Sequence, residues 1–223
     1  MSIAERYQTL RENVPEHVRI VLACKTRSLT EVREVVEAGA LDIAYNYVQE
    51  AETVFAGLES LSAGVRWHMI GHLQKNKINK AVPIFDMYQT LDSLETARAL
   101  NNRLERFRDR VDVLMEVNSG REAGKAGLVP EYGPVAEFAA GLAELPRLCF
   151  RGLMTMGPWS DDAEDMRPAF KVTAELFECL VRDGHEIDTL SMGMSDSYMV
   201  AIEEGATMIR VGTTIFGPRP CRL

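Results

Sequence analysis

Short apolar runs alternate with amphipathic segments along the whole chain, and this regularity restricts the fold more than any other feature. The runs are RIVLAC, DIAYN, RWHMIG, MYQTLD, VDVLMEVN, LCFRGLMTM, TLSMG and MIRVGT, eight in all. Several are apolar through nearly their full length, as expected when both faces of a parallel sheet are covered. Between them, apolar residues recur at spacings of three and four, the mark of a helix with one buried face. Examples are Val32, Val35 and Val36 after the first run and Phe170, Ala174, Phe177 and Val181 after the sixth. Leu94, Ala97, Asn101 and Leu104 follow the fourth, with Asn101 the polar exception. Strand–helix alternation implies βαβ units. Eight of them in 223 residues predict an α/β fold with a single (β/α)8 TIM barrel domain over residues 1–223. An open doubly wound sheet is the alternative. After the eighth run only TIFGPRPCRL remains, too short and Pro-rich for a closing helix, so the amphipathic N-terminal segment MSIAERYQTLRENV is expected to cover that side.

Local signals mark the element ends. SLTE offers Ser28 and Glu31 as a capping box, and DSLE offers Asp92 and Glu95 in a similar arrangement. Gly39 and Gly57 suit helix ends, and Ser195 suits the N-cap of DSYMVAIEEG. GPWSDDAEDMRP, residues 157–168, is the longest polar interruption and reads as a loop over the mouth of the barrel.

Several function classes are disfavoured. A net charge of −8 repels phosphate backbones, so nucleic acid is not an expected partner. No apolar run approaches the roughly 20 residues of a membrane span, and the N-terminus lacks the pattern of a signal peptide. A cytoplasmic protein without a membrane partner is therefore expected. Cys24, Cys149, Cys179 and Cys221 are scattered, which fits neither a zinc site nor a disulfide framework. GREAGKAG has the wrong spacing for a nucleotide-binding loop, and Gly71 between His68 and His72 speaks against a helical zinc motif. His68 reads instead as a strand-end or core histidine, and KNKINK as a solvated helix face. No metal is expected.

In a barrel, residues at the C-terminal strand ends converge on one mouth. Those ends carry Lys25, Asn46, Thr90, Asn118, Thr155 and the segments SMGMS and RVGT. The set holds an amine, amides, hydroxyls and glycines but no carboxylate pair, which disfavours glycosidase chemistry. Glycines and hydroxyls after the seventh and eighth strands stand where barrels often bind phosphate. Arg210, inside an apolar strand, needs an acceptor facing it. It could be a permanent donor to an unprotonated ring nitrogen or one half of a structural ion pair. A lysine after a strand is ordinarily a solvated rim charge. Facing a phosphate cradle, however, Lys25 suits a Schiff base with a phosphorylated aldehyde.

Lys25, NYVQE, WHMIGHLQKNK, VNSGREAGKAGL, RGLMTM, LSMGMSDSY and IRVGTTIFG, in this order, closely resemble the pyridoxal phosphate homeostasis proteins, single-domain relatives of alanine racemase. The likeness runs from about residue 3 to residue 219. It implies a barrel of the alanine racemase N-terminal type. It also implies that Lys25 carries pyridoxal 5′-phosphate as a Schiff base, that Asn46 lies near the cofactor, that Ser195, Gly212 and Thr213 hold its phosphate, and that Arg210 faces the pyridine nitrogen. Ser191 and Met194 would be neighbours. The implied role is in vitamin B6 balance, with pyridoxal phosphate as ligand and dependent apo-enzymes as recipients. The chain departs from the usual Gly-Glu-Asn-Tyr at Ala44 and Tyr45. Alanine racemase takes its opposite-face acid/base, a tyrosine, from a second domain and the partner subunit, and no such sequence follows Leu223. A cofactor carrier without strong catalysis is therefore expected. A weak pyridoxal-phosphate amino-acid racemase and a cofactor-free Schiff-base aldolase are the alternatives.

Overall fold

A computed structural model of the chain describes residues 1–158, 160 and 162–218. Trp159, Asp161 and residues 219–223, which include Cys221 and part of two segments discussed above, lie outside the described residues. All eight apolar runs are strands: β1 Arg19–Ala23, β2 Asp42–Tyr45, β3 Arg66–Met69, β4 Met87–Leu91, β5 Val111–Glu116, β6 Leu148–Met154, β7 Thr189–Ser191 and β8 Met208–Val211. The helices are α1 Ile3–Asn13, α2 Leu29–Glu37, α3 Val48–Leu58, α4 Ile78–Ala81, α5 Leu94–Leu104, α6 Tyr132–Ala143, α7 Arg167–Arg182, α8 Tyr198–Glu203 and α9 Thr213–Phe216.

Each strand pairs in parallel with the next, and β8 returns to β1 through Arg19↔Met208, Ile20↔Ile209, Val21↔Arg210 and Leu22↔Val211. The sheet is thus a closed barrel, and the open doubly wound alternative is excluded. Strand alternation divides the apolar residues into two cores. Val21, Ala44, Met87, Leu114, Met154 and Met208 form a layer inside the barrel. Leu22, Ile43, Trp67, Ile209 and Val211 point outward into the core under the helices. The departure at Ala44 and Tyr45 is divided the same way: Ala44 faces inward, while Tyr45 stacks on Trp67 with ring centroids 5.9 Å apart.

The helix signals hold with four adjustments. Ser28 and Glu31 form the expected capping box of α2, and Gly39, at φ +98°, follows its end. At α5 the N-cap is Ser93, not Asp92, because Asp92 closes the preceding strand and its carboxylate accepts the Gly127 N–H at 3.1 Å. Gly57 lies inside α3 rather than past it. A Cβ there would sit 2.5 Å from Leu29 Cδ2, so the glycine permits close approach to the start of α2. On α7 the buried line is Phe170, Thr173, Leu176 and Leu180, and Val181 is exposed. Hydropathy alone misses this line because Thr173 enters it by bonding its hydroxyl back to the Ala169 carbonyl at 2.8 Å. The fourth adjustment concerns Ser195 and is described with the site. Asn101 is buried because its side-chain oxygen accepts the Arg147 N–H at 3.1 Å.

The N-terminal helix closes the outer layer as expected, lying against α2 and the one-turn α9, with Arg6 bonded to the Ile215 carbonyl. Lys75 and Lys80 of the basic segment pair with Glu95 and Glu52 on the surface. Among the described residues no helix is long and apolar enough to cross a membrane.

One backbone position tests the closure. Gly152 sits at φ +141° beside the β5–β6 register shift, and a Cβ there would lie 2.0 Å from the Thr189 carbonyl oxygen of β7. Gly152→Ala is expected to destabilise the fold by about 3 kcal/mol or more. Gly133→Ala, where nothing lies within 4 Å, should be neutral to slightly stabilising. Urea unfolding midpoints check both.

Candidate functional site

The eight residues that the resemblance assigns to the cofactor site gather on one arc of the mouth. Because β8 pairs with β1, the ends of β7, β8, β1 and β2 are consecutive around the rim, and all eight residues lie on or just after these strands. Lys25 stands in the turn after β1, half-buried, followed by Thr26 in the left-handed region at φ +65°. Thr26 donates its N–H to the Glu50 carboxylate at 3.3 Å. Arg27 then ties the turn to the segment after β8, bonding the Phe216 carbonyl at 3.2 Å and lying 5.4 Å over its ring. The turn that carries Lys25 is thereby held against the segment after β8. Its neighbour Cys24 is buried, and burial pushes its thiol up to about 12, so no thiolate competes with Lys25.

After β7 the chain turns at Gly193, φ +88°, where a Cβ would lie 2.5 Å from that of Ala201. This turn delivers Met194 and Ser195 to the rim. Met194 is tied down through its backbone, accepting the N–H groups of Ser197 and Tyr198. Ser195 does not cap α8, whose N-cap is Ser197. Its hydroxyl instead accepts the backbone N–H groups of Gly212 at 3.1 Å and Thr214 at 3.3 Å. Local sequence pointed Ser195 at the next helix, but barrel closure offers it the unpaired amides after β8. Thr213 is exposed beside them. Gly212 follows β8 so closely along β1 that a Cβ would lie 3.2 Å from the Ala23 carbonyl oxygen.

Inside the mouth Arg210 is buried, donating to Ser191 Oγ at 2.7 Å and to the Thr155 carbonyl at 2.8 Å. Ser191 in turn donates to Gln89 Oε1 at 2.8 Å. Burial draws the guanidinium down to about 10, and the Glu116 carboxylate opposes that shift. Glu116 is raised to about 7, by burial first and then by Asp92, with Arg210 pulling it back. Asn46 Oδ1 is buried without a hydrogen-bond partner among the described residues, and Gly71 makes room for its strand end, since a Cβ there would lie 2.2 Å from the Asn46 carbonyl oxygen.

These groups suit a small ligand with an anionic tail. Two amides donate to the Ser195 oxygen and anchor a hydroxyl that keeps its own proton to give, a donor-only guanidinium faces inward, one buried acceptor is unsatisfied, and a lysine stands in the adjoining turn.

The model of the family described as "Alanine racemase, N-terminal domain" matches residues 1–220. The pyridoxal phosphate homeostasis protein of Haemophilus influenzae is 37% identical over 204 residues, 91% of this chain and 85% of that one. The chain belongs to the pyridoxal phosphate homeostasis protein family. PipY of Synechococcus elongatus, solved with PLP bound, superposes with a TM-score of 0.89 at 32% identity, covering 97% of this chain and 100% of that one. An alanine racemase of Clostridium difficile shares the fold at 16% identity and a TM-score of 0.80, covering 99% of this chain and 57% of that one.

Three interior residues of this family member were not singled out in sequence for the mouth: Gln89, Glu116 and His68, the last expected only as a core or strand-end residue. Each faces the barrel interior, and the only sequence signal is a polar residue in an otherwise apolar run. His68 is fully enclosed while His72 is exposed, so the two do not act as a pair.

Glu116 holds its proton more tightly in the folded chain, about 7, than at its ordinary 4.5. Its stabilising contribution is therefore complete below pH 4.5 and is lost as pH rises through about 7. Glu116→Gln should match the wild type in unfolding free energy at low pH. Above pH 7 it should exceed it by up to about 3 kcal/mol. Chemical unfolding across the pH range checks this, and parallel curves for the two proteins would contradict it.

Proposed function

We propose that this chain binds pyridoxal 5′-phosphate in the barrel mouth and serves intracellular vitamin B6 homeostasis as a carrier of the cofactor, without strong catalysis of its own. Lys25 Nζ would hold the aldehyde carbon as a Schiff base. Ser195 with the backbone of Gly212 and Thr213 would hold the phosphate, Arg210 would face the ring nitrogen, and Asn46, Ser191 and Met194 would line the remainder. When bound, the cofactor supplies a carbonyl that condenses reversibly with amines and a ring that can accept electron density.

The observation that carries the reading is the shared arc: a lysine, a serine hydroxyl anchored by two amides, and a buried guanidinium on four consecutive strand ends. Relatives named for pyridoxal phosphate homeostasis and the ligand-bound PipY structure support the choice of cofactor over other phosphorylated aldehydes. An arginine cannot surrender its proton to the ring nitrogen. The bound ring then stays a weak electron sink, which suits storage and transfer.

Purified protein mixed with pyridoxal 5′-phosphate should develop a visible absorbance band, and borohydride followed by peptide mass analysis should place the label on Lys25. Lys25→Ala should lose both. Ser195→Ala, removing one charge-assisted bond to the phosphate, should weaken binding about tenfold. Delivery is checked by following transfer to an apo-enzyme, which should proceed faster than from free cofactor at equal concentration. Protein that stays colourless and unlabelled would refute the reading.

A further inference from the structure

Arg210 is one end of a hydrogen-bonded line that traverses the barrel. Its guanidinium donates to Ser191 Oγ at 2.7 Å, and Ser191 lies 2.8 Å from Gln89 Oε1. Gln89 Nε2 lies 2.9 Å from His68 Nδ1, and His68 Nε2 lies 2.8 Å from Asp42 Oδ1. The side chains of Ser191, Gln89 and His68 are fully enclosed, Arg210 and Asp42 nearly so. The line begins at the mouth, where β8 ends, and finishes on the first residue of β2 at the opposite rim, where Asp42 also meets Arg19 at 3.5 Å.

With a neutral His68 ring, the direction of every bond is determined from the two ends. Arginine only donates, so Ser191 must accept from it and has one proton left to give. That proton goes to Gln89 Oε1, which turns the amide N–H toward His68 Nδ1. Nδ1 must then be unprotonated, and Nε2 carries the proton toward the Asp42 carboxylate, which only accepts. Four donors thus point one way, from a cation to an anion, in a medium of low dielectric where successive bonds polarise one another. Burial holds the His68 ring below its ordinary value, in agreement with a neutral imidazole. A flipped amide or the other tautomer would place two donors or two acceptors face to face.

We propose that Gln89, His68 and Asp42 are positioning residues for Arg210, holding its guanidinium in one orientation toward the mouth through this one-way chain. That Arg210 faces a cofactor there rests on the reading above; the chain of bonds does not. The charge that acts on Arg210 directly is Glu116, from the mouth side.

Nitrogen-15 NMR of the ligand-free protein tests the chain directly. In the wild type, His68 should be the neutral tautomer protonated at Nε2, and the Arg210 guanidinium N–H signals should be resolved and slow to exchange. Gln89→Met, close in volume, cuts the line at its middle without touching Arg210. It should speed exchange of those signals with water by about tenfold, roughly the effect of one lost hydrogen bond. Asp42→Asn keeps an acceptor while removing the charge and should give a smaller change in the same direction. With pyridoxal 5′-phosphate added, both variants should shift the pH titration of the visible band relative to the wild type, which a merely structural role would leave in place. Thermal melting confirms that the variants fold; if Gln89→Met does not, Asp42→Asn decides. A wild-type His68 protonated at Nδ1, or Arg210 signals unchanged in both folded variants, would overturn the proposal. Should the wild type bind no cofactor, the ligand-free measurements still decide the chain, so the two readings fail separately.

Discussion

Backbone pairing between β8 and β1, from Arg19↔Met208 to Leu22↔Val211, turns a sheet into a barrel and sets residue 25 beside residue 212. Everything at the mouth depends on that seam. Lys25 comes from a turn after the first strand and the amides that anchor Ser195 from the segment after the last, and no local interaction could bring them together. Arg27 reinforces the seam from outside, reaching from the first turn to the carbonyls after β8. The cost of closure is visible in places where a side chain cannot be accommodated: Gly71, Gly152, Gly193 and Gly212 each lie against a neighbouring segment too closely for an easy Cβ.

The second organising fact is a cation enclosed in the barrel. A guanidinium removed from water needs acceptors in fixed positions, and Arg210 has a hydroxyl and a carbonyl, with a carboxyl group, Glu116, nearby. The two titrating groups counteract each other's burial, which lowers Arg210 to about 10 and raises Glu116 to about 7. The mouth therefore holds a positive donor near a carboxyl whose protonated form burial favours. This balance suits a ligand that presents both an anionic tail and a basic ring atom. The Ser191–Gln89–His68–Asp42 line extends the same compensation to the far rim, so the polar interior is one connected network interrupting the apolar layer of Val21, Ala44, Met87, Leu114, Met154 and Met208.

Much of this architecture could be read from the chain directly. All eight strands appear as apolar runs because burial on both faces demands it, and Ser28 with Glu31 announces α2 because unpaired helix amides need nearby acceptors. Lys25, Asn46 and Arg210 stand out as polar groups at strand ends or within apolar strands. Ser195 is visible as a hydroxyl among glycines, but the local pattern points it at the nearer helix, whereas the amides of Gly212 and Thr214 claim it. Asp92 reads in sequence as a cap of its own helix, but it holds the Gly127 amide in the loop after the adjacent strand β5. Gln89 and Glu116 passed as ordinary strand residues, since a single polar side chain in a run does not reveal which way it faces.

What the amino-acid order determined by itself is local: where strands and helices begin and end, which residue types arrive at strand ends, and that eight βα repeats are present. Hydropathy period, capping chemistry and chain length suffice for these because each acts within a few residues. Which hydroxyl meets which amide, which carboxyl is buried near Arg210, and which side chains His68 meets were decided only by the closed barrel. They depend on register between strands far apart in sequence and on a dry interior that forces every donor to find its acceptor across that distance.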